Sequence, residues 1–206
     1  MKIYLVRHGE STLNAKNFHQ DEYSPLSKKG ISQAKEIAKR FKDIPINLFY
    51  ASPFTRAKET AGIISQIVNK KIEFSPLITE LKRPSSFVGK YFLSKDIVKI
   101  KKLITKNFEN PNWRHSDKET FFEFRERTSE FLKKLRKINK EHVLVVTHGD
   151  FIRMFVALMI FGDEVEPKTF TKIRRSFNIG NTGITECEYK NSRWKLITWN
   201  DLSHIK

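Results

Sequence analysis

The chain has 206 residues, 39% of them hydrophobic and 30% charged, which is enough for one globular domain with a sizeable core and too apolar for a disordered chain. Its 39 Lys and Arg stand against 23 Asp and Glu, a formal charge of +16, and such a field attracts anions of any kind. A single cysteine, Cys187, excludes an internal disulfide and a dithiol redox centre.

Residues 2–6 form a short apolar run that reads as a strand buried on both faces. The run is too short for the core of a signal peptide and is followed at once by charge. From 27 to 41 the apolar residues Ile31, Ala34, Ile37, Ala38 and Phe41 fall on one helical stripe. Residues 47–50 predict a short strand. Ser52-Pro53 then offers an N-cap and a proline at the first helical position, opening a helix that turns Ala57, Ala61, Ile64 and Val68 inward.

The stretch 82–118 is the least regular, with Pro84, Pro111 and ten Lys or Arg against three Asp or Glu. It is expected to be a cap insertion over one end of the sheet, with a helix near 96–108 that buries Ile97, Ile100 and Ile104 and turns its lysines outward. The clearest helical period, Phe121, Phe124, Thr128, Phe131, Leu135 and Ile138, covers 119–138. A second buried strand follows at 143–146 and a short central helix at 150–161. Arg153 interrupts that last apolar stretch, which falls well short of the roughly 20 residues needed to cross a bilayer. Segments 184–189 and 193–199 predict a terminal hairpin. The alternation implies an α/β fold: a three-layer, mostly parallel sheet with helices on both faces and a basic cap insertion, within a single domain 1–206. A cytoplasmic protein without membrane attachment is expected.

Two strands end in His-Gly, at His8-Gly9 and His148-Gly149. Ligands of open α/β sheets gather outside the carboxyl ends of the strands, so both histidines are expected in one cleft, with each glycine leaving room for a ligand. Arg7 leaves the first strand, and Arg56 lies in the first turn of the helix after Ser52-Pro53. A guanidinium matches phosphate oxygens with a planar fork, and a helix N-terminus favours the same anion. Two arginines and a helix end around two histidines make a phosphate pocket that needs no metal. No His, Cys, Asp or Glu set has metal-ligand spacing, and there is no phosphate-binding loop of the nucleotide-binding kinds. A neutral imidazole attacks phosphorus directly to form a phosphohistidine, the cations neutralise the transferring group, and a carboxylic acid must protonate the leaving oxygen. Spacing alone leaves that acid open among Glu10, Asp21, Glu59, Glu80 and Asp150.

The segment RHGESTLNA (7–15) resembles the signature of the histidine phosphatase superfamily, the group that contains cofactor-dependent phosphoglycerate mutases and many small-molecule phosphatases. Further matches follow in order: PLSKKGISQA (25–34), YASPFTRAKETA (50–61), TEL (79–81) with Gly89, ETFFEFRER (119–127), VVTHGDFIR (145–153) and NTGIT (181–185). The resemblance implies His8 as the nucleophile and Arg7, Arg56 and His148 as clamps on the phosphate. Asn14 and the Gly149 backbone would help to bind the substrate, and Glu80 would be the proton donor, with no metal and no cofactor. Gly30 is expected to permit close packing, and Asn181 to shape a turn rather than line the pocket; Arg127 and Arg153 match positions of that family, and internal ion pairs explain them equally well.

The mutases of that family carry a distinctive ERHYG stretch at the acid, whereas ELKRPSSFVGKYF stands here. That departure points to a metal-independent phosphomonoester hydrolase, a histidine acid-type phosphatase. Lys82, Arg83 and the basic stretch that follows imply a small metabolite whose leaving group is itself anionic. The competing readings are phosphoglycerate mutase-type transfer, a protein phosphatase, and a non-catalytic protein that binds a phosphorylated ligand or nucleic acid. No basic segment interleaved with aromatics points to specific nucleic-acid binding.

Overall fold

The computed structural model describes residues 1–205. Strands β1 (Lys2–Arg7), β2 (Leu48–Ala51), β3 (Glu73–Phe74), β4 (His142–Thr147), β5 (Ile184–Lys190) and β6 (Arg193–Asp201) form one sheet in the order β3-β2-β4-β1-β5-β6. The pairs β2–β3, β2–β4 and β1–β4 are parallel, and β5 and β6 add an antiparallel edge. The sheet is therefore mostly parallel, as the alternating pattern implies.

Both faces of the sheet are covered because its central strands are apolar between their polar ends, at Ile3–Val6 and Val143–Val146. Ile3, Leu5, Val143 and Val145 join one core with side chains of α4 (Phe121–Arg136), α5 (Gly149–Phe161) and α6 (Pro167–Ser176). Tyr4, Val6, Leu144 and Val146, one residue out of step, join the other with α1 (Lys28–Arg40) and α2 (Thr55–Val68). Alternation along a strand thus builds the three layers directly. Two helices start where the sequence marks them. Ser27 caps α1 by accepting from the Gly30 N–H, and Thr120 and Glu123 form a reciprocal capping box on α4.

Several local readings change. α2 begins at Thr55 with Phe54 as its N-cap, not at Ser52-Pro53, because the Ser52 hydroxyl pairs with the His148 ring. Ile31 is 41% exposed, so the buried stripe of α1 starts at Ala34. In α3 (Lys95–Lys106) only Ile97 is fully buried, and Ile104 faces a cavity instead. α6 went unread, although Pro167 stands at its first turn, a usable start signal.

The parallel register decides where the chemistry can lie. β1 and β4 pair from Lys2↔His142 to Arg7↔Thr147, and the His8 N–H continues the ladder to the Thr147 carbonyl at 2.9 Å. His8 and His148, each one residue further, therefore leave the sheet side by side at its carboxyl end.

Candidate active site

His8 is 2% exposed and His148 fully buried, with ring centroids 5.1 Å apart. The His8 Nδ1 lies 2.7 Å from the Gly9 carbonyl oxygen. A carbonyl only accepts, so Nδ1 carries the proton and Nε2 keeps its lone pair. The Arg56 Nε–H points at that Nε2 from 3.2 Å. Burial, and then the charges of Arg56 and Arg7, hold the His8 pKa well below 6.5, so the imidazole is neutral across the physiological range. The same causes, with His8 itself, act on His148.

Each neighbour has a local reason for its place. Arg56, in the first turn of α2, donates through Nη1 to the Asp21 carbonyl at 2.6 Å. Burial lowers its pKa to about 10, and it remains a cation at neutral pH. Arg7 is steadied by the Ile179 carbonyl at 2.6 Å. The His148 Nε2 meets the Ser52 hydroxyl at 2.7 Å, while its buried Nδ1 has no protein partner. Asn14 lines the cavity, and its Oδ1 is likewise buried without a partner. Asn181 donates to the His8 carbonyl at 3.0 Å and so supports the turn from beneath.

The two glycines differ. A Cβ on Gly9 would lie 2.6 Å from the Gly30 carbonyl, and one on Gly30 would lie 2.0 Å from the Glu10 carbonyl. Gly9 is thus a packing residue against α1 rather than an opening for a ligand. A Cβ on Gly149, which opens α5, would instead face the Arg7 and Arg153 guanidinium groups at the site.

The five carboxylates left open by spacing now occupy distinct settings. Glu10 accepts from the Ser27 hydroxyl, Asp21 from the Ser24 hydroxyl and Glu59 from the Leu26 N–H. Asp150 meets Arg83, Arg153 and Arg174 at 3.0–3.2 Å. It is buried, and those cations hold its pKa down against that burial. Glu80 faces the cavity and accepts the Leu81 and Asp150 N–H groups at 3.0 and 3.1 Å. Burial first, and the nearby Asp150 charge second, raise its pKa. Two adjacent carboxyl groups pushed in opposite directions mark Glu80 as the one able to hold a proton.

Arg127 makes the ion pair the sequence suggests, with Glu119 at 2.6 and 2.9 Å. It also donates to the Leu77, Thr79 and Glu80 carbonyls, fixing the backbone that carries Glu80. Arg7, Asn14, Arg56, Glu80, Gly149 and Arg153 line one cavity of about 1910 Å³. Much of its wall comes from the basic stretch, including Arg83, Phe87, Phe92, Lys101 and Lys118. Among the described residues, no group of three or more His, Cys, Asp or Glu side chains is arranged to hold a metal ion, and no helix is long and apolar enough to cross a membrane.

Sequence reasoning missed Ser52 as the partner of His148, His19 in the cavity wall, and Arg174 on the unread α6. Only the last had a usable signal, the proline that starts its helix.

A profile of the histidine phosphatase superfamily (branch 1) matches residues 3–202. A provisionally named phosphoserine phosphatase 2 of Hydrogenobacter thermophilus is 27% identical over all of this chain and 98% of its own. A provisionally assigned phosphoglycerate mutase of Escherichia coli is 25% identical over all of this chain and 95% of its own. Among solved structures, a histidine-to-alanine variant of the phosphoserine phosphatase of Entamoeba histolytica, with phosphoserine bound, superposes with a TM-score of 0.79 at 24% identity. That match covers 100% of this chain and 99% of the other.

Proposed function

Because the chain belongs to the histidine phosphatase superfamily, we propose that it hydrolyses a small phosphorylated metabolite through a phosphohistidine on His8, without a metal. The supporting observation is the fixed tautomer of His8, whose Nδ1–H is spent on the Gly9 carbonyl so that Nε2 keeps its lone pair, held 3.2 Å from the Nε–H of Arg56, which itself lines the cavity together with Arg7, Asn14 and Glu80.

The Nε2 lone pair attacks phosphorus while the bond from phosphorus to the ester oxygen breaks. Arg7, Arg56, His148, Asn14 and the Gly149 N–H hold the three peripheral oxygens, and the Arg56 N–H now on Nε2 turns to one of them. Glu80 gives its proton to the departing alkoxide, which leaves as an alcohol. In the second half, the Glu80 carboxylate takes a proton from water as the hydroxide oxygen bonds to phosphorus. The phosphorus–nitrogen bond then breaks, its electrons return to Nε2, and phosphate is released. Residues 82–118 act as the cap whose cations select an anionic leaving group. Names of relatives agree in kind: one phosphoserine phosphatase was solved with phosphoserine.

The test is turnover of p-nitrophenyl phosphate in excess EDTA, with acid-quenched label mapped to a peptide. Undiminished activity, label on His8 and loss of more than about 10⁴-fold in His8→Ala are expected. Activity abolished by EDTA, or label elsewhere, would overturn the reading. One relative carries a mutase name, so phosphate release and isomerisation of 3-phosphoglycerate should be measured side by side, with release expected to dominate.

A further inference from the structure

The cavity extends beyond the phosphate clamp, and there it holds a second set of cationic and imidazole groups from four separate segments. His19 lies on the loop after β1, Arg83 stands three residues past Glu80, Lys101 lies on α3, and Arg174 on α6. Asp150 engages only one nitrogen of Arg83 and one of Arg174, at 3.2 and 3.0 Å. The rest of each planar fork remains for a ligand. Arg153 shares that carboxylate, so three guanidinium groups surround one negative charge. Lys101 adds a further cation, which donates to the Phe92 carbonyl at 2.8 Å and lies 5.5 Å from the centre of the same residue's ring.

His19 is the second, independent sign of a ligand. It is 6% exposed and lies between the rings of Phe87 and Phe92, with centroids at 5.0 and 4.6 Å. Its Nε2 is buried without a hydrogen-bond partner, and the residue lines the cavity. A buried ring nitrogen with no partner is costly to keep unless something met by the cavity completes it. Burial, and then the charges of Arg83 and Lys101, lower the His19 pKa to about 4. The ring is therefore neutral, and an anion seated among these groups would ease its protonation.

We propose that His19, Arg83, Lys101 and Arg174 form a second anion subsite that takes a phosphate carried by the leaving alcohol, so that the preferred substrates bear two phosphates, one cleaved at His8 and one held. This rests on the phosphomonoesterase reading above. A dianionic, tetrahedral phosphate suits the site better than a planar carboxylate, for two reasons. The cations outnumber the one ionised carboxylate among them, and their donors converge from four elements rather than from one plane. Arg83 follows the proton donor by three residues, which puts the held group on the leaving side of the scissile bond.

The experiment uses the full chain and three homologous series: α,ω-alkanediol bisphosphates, the matching alkyl monophosphates, and ω-carboxyalkyl phosphates. At the best chain length, kcat/KM for the bisphosphate should exceed that for the monophosphate by about 100-fold and that for the carboxylated ester by about tenfold. Arg83→Ala and Lys101→Ala should each cut the preference for bisphosphate over monophosphate to below about tenfold, through KM, and Lys101→Arg should restore most of it. The His19 imidazole, followed by NMR, should titrate at higher pH with the bisphosphate bound. Equal or better turnover of the carboxylated series overturns the assignment of a phosphate, and a preference unchanged in both alanine variants overturns the subsite. If no ester is turned over, the phosphatase reading fails on its own. Calorimetric titration of His8→Ala with bisphosphate and monophosphate then still decides the subsite, at least tenfold tighter bisphosphate binding supporting it and equal binding overturning it.

Discussion

Arg127 offers the sharpest test of how Glu80, the proposed proton donor, is held. Its guanidinium donates to the Leu77, Thr79 and Glu80 carbonyls at 2.8, 2.9 and 3.1 Å and pairs with Glu119, both side chains being less than a fifth exposed. Arg127→Met keeps the apolar stem but removes the guanidinium that lies over the Phe124 ring, strands three carbonyls and leaves the Glu119 carboxylate only the Lys82 N–H. Partly buried acceptors left unpaired cost about 1–3 kcal/mol each, and breaking a buried ion pair from one side costs about 3–5 kcal/mol. These losses overlap, and water can reach some of the stranded groups, so about 3–5 kcal/mol in all is expected from urea denaturation. The effect on catalysis should depend on the leaving group. An alkyl phosphate needs a proton on its departing oxygen, whereas p-nitrophenolate leaves without one. Arg127→Met should therefore lower kcat about 100-fold for the alkyl ester and less than about tenfold for the aryl ester, matching the pattern of Glu80→Gln. Arg127→Lys should fall between, and guards against simple misfolding. Equal loss on both esters, or a stability change below about 1 kcal/mol, would refute the argument.

Acid should weaken the fold through its three buried histidines, His8, His19 and His148. Their folded pKa values all lie below 6.5, so below pH 6.5 the unfolded chain binds protons that the folded chain refuses. Their contribution to stability is complete above pH 6.5 and lost as pH falls toward the folded values, with a slope of up to about 4 kcal/mol per pH unit. Denaturation curves between pH 7.5 and 5 should show it, His148→Asn should reduce the slope by about one proton, and a flat profile would contradict it. Gly30→Ala should cost about 3 kcal/mol or more, since its Cβ would lie 2.0 Å from a backbone oxygen that cannot swing away. A melting temperature unchanged by that substitution would refute the close packing of α1 on the His8 turn.

The parts of the site most legible in the sequence are those carried by regular structure. His8 and His148 follow apolar strands that pair in parallel, and Arg56 rides the first turn of a helix, so period and punctuation alone bring them together. Glu80 was different. It sits on a loop positioned by the Asp150 N–H and by Arg127, contacts with no local signature, and only the family resemblance singled it out. Ser52 misled because a serine before a proline is a common helix start, and here a tertiary bond to His148 outweighs the cap. His19 was illegible for the same reason as Glu80: its surroundings come from Phe87 and Phe92, about 70 residues away.

The way β1 is stitched into the sheet governs when this pocket can exist. The first strand pairs with residues 142–147 and 184–188, the Thr182 N–H returns to the Arg7 carbonyl at 3.0 Å, and Ile179 and Asn181 supply the anchors of Arg7 and His8. During synthesis His8 is made some 170 residues before Ile179 and Asn181, which support the turn that carries it. Such distant pairings form late and together. A nascent or truncated chain ending before Ile179 therefore cannot display a half-built catalyst to the cell's phosphate esters, and the onset of turnover doubles as a report that the whole domain has folded.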